Sequence, residues 1–70
     1  MRGDIIYGTI KAKGMTFKAV AEAAGMSYPT LMAKLKSGEF YASEIKKLAD
    51  ILGFSGQDVL DYFFDSEFKR

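Results

Sequence analysis

Between Thr16 and Lys36 the sequence gathers three hydroxyls (Thr16, Ser27, Thr30), a phenol (Tyr28) and three lysines (Lys18, Lys34, Lys36). These groups donate hydrogen bonds or carry positive charge, so they can hold anionic oxygen. They are poorly suited to making or breaking bonds. The chain has no histidine and no cysteine. That excludes thiolate zinc sites, Cys or His nucleophile systems and imidazole bases, and leaves no reason to expect catalysis, a cofactor or a metal. Asp58, Asp61 and Asp65 stand three and four apart, a spacing open to paired acids or metal ligands. Flanked by aromatics and without a ligand loop, they read better as the solvated face of a helix.

Charge is divided along the chain. Residues 1–36 carry Arg2, Lys11, Lys13, Lys18, Lys34 and Lys36 against Asp4 and Glu22, a balance of +4. Residues 37–70 carry Lys46, Lys47, Lys69 and Arg70 against Glu39, Glu44, Asp50, Asp58, Asp61, Asp65 and Glu67, a balance of −3. A basic half suggests that one face meets an anion.

The elements that must position these groups read as helices throughout. A first segment, about Asp4 to Lys13, places Ile6 and Ile10 four apart and stops at Gly14. A second, about Phe17 to Ala24, carries the stripe Phe17, Val20, Ala21 and Ala24 behind a Thr16 cap, with Gly25 as its left-handed stop. The third opens on Ser27, tolerates Pro29 in its first turn, and runs through Leu31 and Leu35 to about Lys36, with Ser37-Gly38 as its end. After a loop from Gly38 to Tyr41 that half-buries or exposes Phe40, Ile45, Leu48, Ala49 and Leu52 mark a fourth segment, Ala42 to Leu52, closed by Gly53. Ser55 and Asp58 form a capping-box variant for a fifth, reaching Phe63 or Phe64. The expected architecture is all-α: five short helices around one core, in a single domain over residues 1–70 with a tail at 65–70. Glu44 with Lys47 and Glu22 with Lys18 read as ordinary surface pairs.

Ala21, Gly25 and Leu31 have the spacing of a helix-turn-helix over about residues 16–36. A small residue lets two helices cross closely, a glycine accepts the positive φ of the turn, and an aliphatic residue plugs the second helix into the core. Val20 and Ala24 back the same crossing.

The run from Gly14 through Thr16-Phe17, Val20-Ala21, Gly25, Ser27, Pro29 and Leu31 resembles the phage Cro and repressor (xenobiotic-response-element-like) type of helix-turn-helix domain. Its continuation, Lys34-Leu35-Lys36, Gly38, Phe40, Glu44-Ile45, Leu48-Ala49 and Leu52-Gly53, is similar to a branch seen in phages and prophages of bacteria. Ser55 to Phe64 resembles that branch's closing Tyr-Phe-Phe. The resemblance spans about residues 5–64. It implies a compact five-helix, lambda-repressor-like DNA-binding domain, dimeric on double-stranded DNA and acting as a repressor or genetic-switch regulator.

By that resemblance the third helix enters the major groove, with base contacts from Tyr28, Pro29, Met32 and Ala33. A helical wheel supports most of this: with Leu31 and Leu35 inward, Pro29, Ala33 and Lys36 face outward, and Met32 and Thr30 border them. Tyr28 falls off that face and reaches DNA only from the helix tip. None of these contact positions holds the Gln, Asn, Arg or Lys that read base edges bidentately. The expected readout is apolar, Met32 and Ala33 on thymine methyls and Tyr28 on a base or phosphate, within backbone-dominated binding. Phosphate contacts are expected from Thr16, Lys18 and the start of the second helix, flanked by Lys34, Lys36 and Lys11 or Lys13. Ser27 and Thr30 are further candidates for DNA contact, although capping and local backbone bonding explain their hydroxyls better.

Tyr62, Phe63, Phe64 and Phe68 exceed what one short helix buries alone; they are read either as a lid over the core or as a homodimer surface. The apolar outward face of Pro29, Met32 and Ala33 also admits an alternative, a protein-interaction module on the same fold such as an antirepressor or antitoxin-like partner. No stretch approaches the ~20 apolar residues of a spanning helix. With no cysteine, the chain reads as cytoplasmic.

Overall fold

Each helix starts and stops where local backbone chemistry requires. A computed structural model describes residues 1–64 and contains α1 (Gly3–Ala12), α2 (Phe17–Ala23), α3 (Tyr28–Ser37), α4 (Ala42–Leu52) and α5 (Gly56–Phe63). At the head of α2 the Thr16 hydroxyl oxygen accepts the Ala19 N–H at 3.0 Å. At the head of α3 the Ser27 oxygen accepts the Thr30 N–H at 3.2 Å, and Pro29 occupies the first turn. α5 opens with a reciprocal box: Ser55 Oγ accepts the Asp58 N–H at 3.0 Å, and Asp58 Oδ2 accepts the Ser55 N–H at 2.9 Å. These bonds satisfy donors that a helix N-terminus otherwise leaves unpaired.

The turn between α2 and α3 is closed just as tightly. Met26 N–H donates to the Ala21 carbonyl at 2.9 Å and Gly25 N–H to that of Glu22 at 3.0 Å, with Gly25 at φ 78°. This pair of bonds is the Schellman closure, and its left-handed residue falls on the one side chain without a Cβ penalty.

The core is assembled from residues three or four apart on each helix. Ile6 and Ile10 of α1, Val20 and Ala21 of α2, Leu31 of α3 and Leu48 of α4 are fully buried, and Ala24, Leu52 and Phe63 nearly so. Each large aliphatic among them contributes roughly 1.5–3 kcal/mol by leaving water. α2 packs most extensively on α3, and small Ala21 is what lets the two approach.

The first helix begins one residue earlier than its sequence pattern suggests, at Gly3, and its N-terminus lies against the last turn of α3. Arg2 ties this end to α5, its N–H donating to the Tyr62 carbonyl at 2.6 Å. The Arg2 guanidinium grips Asp4 at 2.9 and 3.1 Å, and that hydrogen bonding holds the Asp4 carboxyl below its ordinary value.

Two expectations need correction. Phe63 is only 6% exposed and meets Phe40 edge-on at 5.8 Å between ring centres, so it is core and not part of an exposed dimer surface. Tyr62 and Phe64 are half-buried, Tyr62 against Phe54 at 5.1 Å; Phe68 lies outside the described residues. Phe63 thus closes over the core, while Tyr62 and Phe64 keep part of their surface exposed. Second, Glu44 does not pair with Lys47. Its carboxylate folds back to accept the Tyr41 N–H at 2.8 Å, which carries it to Lys34 of α3 at 3.1 Å.

Candidate nucleic-acid interface

The geometry of α3 follows from its plug into the core. Leu31 is fully buried and Leu35 partly so, which turns Pro29, Thr30, Ala33, Lys36 and Ser37 to the outside. All five are exposed, as the wheel requires of Pro29, Ala33 and Lys36. Tyr28, at the helix tip, is 48% exposed. No acidic residue occupies the first turn of α2 or α3, so neither helix start repels an anion.

The hydroxyls are partly committed to structure. Ser27 donates its O–H to Thr30 Oγ1 at 2.8 Å while capping the Thr30 amide, so its role in the structure is to hold the start of α3. Thr30 keeps its own O–H free to donate outward. Thr16 caps α2 with its oxygen and likewise retains a donor, next to exposed Lys18.

Met32 is half-buried, set in a shallow recess with Tyr7, Leu35 and Lys36, so only part of its side chain reaches the outer face. Tyr7 stacks on Phe17 at 4.6 Å, with the Lys11 amine 5.7 Å from its ring. This aromatic pair braces the junction of α1 with the start of α2. Lys13 points elsewhere: its amine lies near Gly53 at the end of α4.

Lys34 is placed differently from the other described lysines, all of which are exposed. It borders an open concavity of about 430 Å³ formed with Thr30, Ala33, Ser37, Phe40 and Tyr41. Its amine meets Glu44 and sits 4.6 Å from the centre of the Tyr41 ring. Sequence spacing missed a further basic residue near the turn: Lys47 of α4, whose amine comes within 3.4 Å of the position a Cβ on Gly25 would take. Nothing local announces it, because the contact depends on how α4 crosses α2.

The carboxylates of α5 have local duties, Asp58 in its cap and Asp61 accepting from Gln57 Nε2 at 3.0 Å; Asp65 lies outside the described residues. Among the described residues, no group of three or more His, Cys, Asp or Glu side chains is placed to hold a metal ion. No helix among them is long and apolar enough to cross a membrane.

The arrangement is an exposed helix face that carries Pro29, Ala33, the hydroxyls of Thr30 and Ser37 and the amine of Lys36, held at a two-helix corner closed by Gly25. Its hydroxyl and amine donors are suited to anionic oxygen. The model of the Cro/C1-type HTH DNA-binding domain matches residues 9–65. Neither the curated proteins nor the solved structures supply a significant match. With α2 to α5 and the helix-turn-helix corner inside that match, the chain belongs to the Cro/C1-type helix-turn-helix DNA-binding domain family.

Proposed function

We propose that this protein is a sequence-specific double-stranded DNA-binding regulator of the phage or prophage Cro-repressor type, which inserts α3 into the major groove and represses by occupying an operator. The observation that carries the reading is the outward presentation of Pro29, Thr30, Ala33 and Lys36 while Leu31 anchors the same helix in the core. Ala33 and the exposed part of Met32 would pack on thymine methyls, and Tyr28 would reach a base or phosphate from the helix tip. Thr16, Lys18, Thr30 and Lys36 would hold phosphates, and Ser27 would support them by fixing the end of α3. With no bidentate reader on this face, backbone contacts and duplex shape carry much of the affinity. In this reading residues 1–70 act as one domain, bind as a homodimer in the cytoplasm, and perform no catalysis.

Selection from a random-sequence duplex library, followed by gel shift at two salt concentrations, tests this. An enriched motif whose affinity falls steeply with salt is the expected result; no enrichment and no shift in dilute buffer would refute it. The second reading, a protein-interaction module on the same fold, draws on the uncharged, partly apolar character of Pro29 and Ala33. It predicts no duplex binding at either salt concentration.

A further inference from the structure

We propose that Glu44 is an internal counter-ion that withholds Lys34 from DNA, setting the affinity of this interface below what its lysine content would provide. The inference rests on the DNA-binding reading above and goes beyond it by naming a residue that limits binding. Lys34 stands on the margin of the outward face of α3, next to Thr30 and Ser37, close to where a phosphate backbone would run. Its amine lies 3.1 Å from Glu44 Oε1, and the two side chains are only 21% and 17% exposed. The same Glu44 oxygen accepts the Tyr41 N–H at 2.8 Å, so the carboxylate is fixed to the backbone at the start of α4 and cannot readily swing aside. The face of the Tyr41 ring, 4.6 Å from the amine, stabilises the cation in this position.

A lysine already neutralised by a carboxylate has few counterions to release when DNA arrives. Drawing it to a phosphate would leave Glu44 unpaired beside a polyanion. Lys34 and Glu44 together therefore add almost nothing to the salt dependence of binding, whereas an uncompensated lysine adds about 0.9 to the slope of log affinity against log salt. Glu39 lines the same concavity but makes no such pair with Lys34, so the effect is specific to Glu44.

The test uses the full chain and a duplex selected from a random-sequence library. Glu44→Gln keeps an acceptor for the Tyr41 amide and removes the charge. It is expected to tighten binding and steepen the slope by about 0.9, so that its affinity gain over the wild type is about 3.5-fold larger at roughly 50 mM salt than at roughly 200 mM. Lys34→Met alone leaves Glu44 unpaired beside the duplex and is expected to weaken binding, whereas the double variant, with neither charge, is expected to return to the wild-type slope. A slope lowered by about one unit in the double variant, or an equal steepening by Glu44→Gln with and without Lys34, would overturn the proposal. Should Glu44→Gln fail to fold, the Lys34→Met, Glu44→Gln double variant, in which neither charge is left alone, decides by itself. Wild-type protein that binds no duplex overturns the DNA reading and this inference with it; wild-type binding with a slope indifferent to Glu44→Gln overturns this inference alone.

Discussion

A methyl group on Gly3 would stand 2.8 Å from the carbonyl oxygen of Leu35. The start of α1 thus lies against the backbone of α3 itself, near the end of the helix that carries the candidate interface. Gly3→Ala should destabilise the fold by about 1–3 kcal/mol through overpacking, even though alanine is the better helix former. Gly8, also in α1, has nothing within 4 Å of its Cβ position. Gly8→Ala should stabilise by about 0.4–1 kcal/mol. Thermal melts of the two variants should shift in opposite directions, and a shared direction would contradict the close approach.

Gly25→Ala should lower stability by about 1–2 kcal/mol, because φ at this position is 78° and any Cβ is strained there. Chemical denaturation measures it. A loss confined to a few tenths of a kcal/mol would mean that the turn relaxes at little cost.

Phe63→Ala should cost about 3–5 kcal/mol, since the side chain is buried between Phe40 and Phe54. The loss should be the same at low and high protein concentration. A penalty seen only in concentrated solution would return Phe63 to an association surface.

In the proposed docking, Lys36→Ala should weaken binding to all duplexes alike and reduce the salt slope by about one unit, because an exposed lysine on the outward face of α3 would contribute through phosphate. Ala33→Gln should do something different. It places a bidentate reader on the outward face and should create an adenine preference of about 1–3 kcal/mol at one position of the selected motif. Repeating the selection with each variant separates the two effects, and an unchanged motif for Ala33→Gln would remove this position from the groove.

The helices and their corner were legible in the sequence because their signals are local. Thr16, Ser27 and Ser55 cap helices through bonds to residues three positions on, and Gly25, Gly38 and Gly53 adopt the left-handed conformation that ends them. The inward stripe of Val20, Ala21 and Leu31 likewise follows from helical spacing, and with it the outward direction of Pro29 and Ala33.

What only the tertiary structure decided is which partner each surface group meets. Glu44 is as well spaced for Lys47 as any helical pair, yet its bond to the Tyr41 amide turns it toward Lys34, on a neighbouring helix. Phe63 and Phe64 are adjacent and chemically identical, but only Phe63 falls under the ring of Phe40. Periodicity determines which way a side chain points from its own helix axis. The angle at which two axes cross determines what it finds there, and that angle is set by the whole core at once.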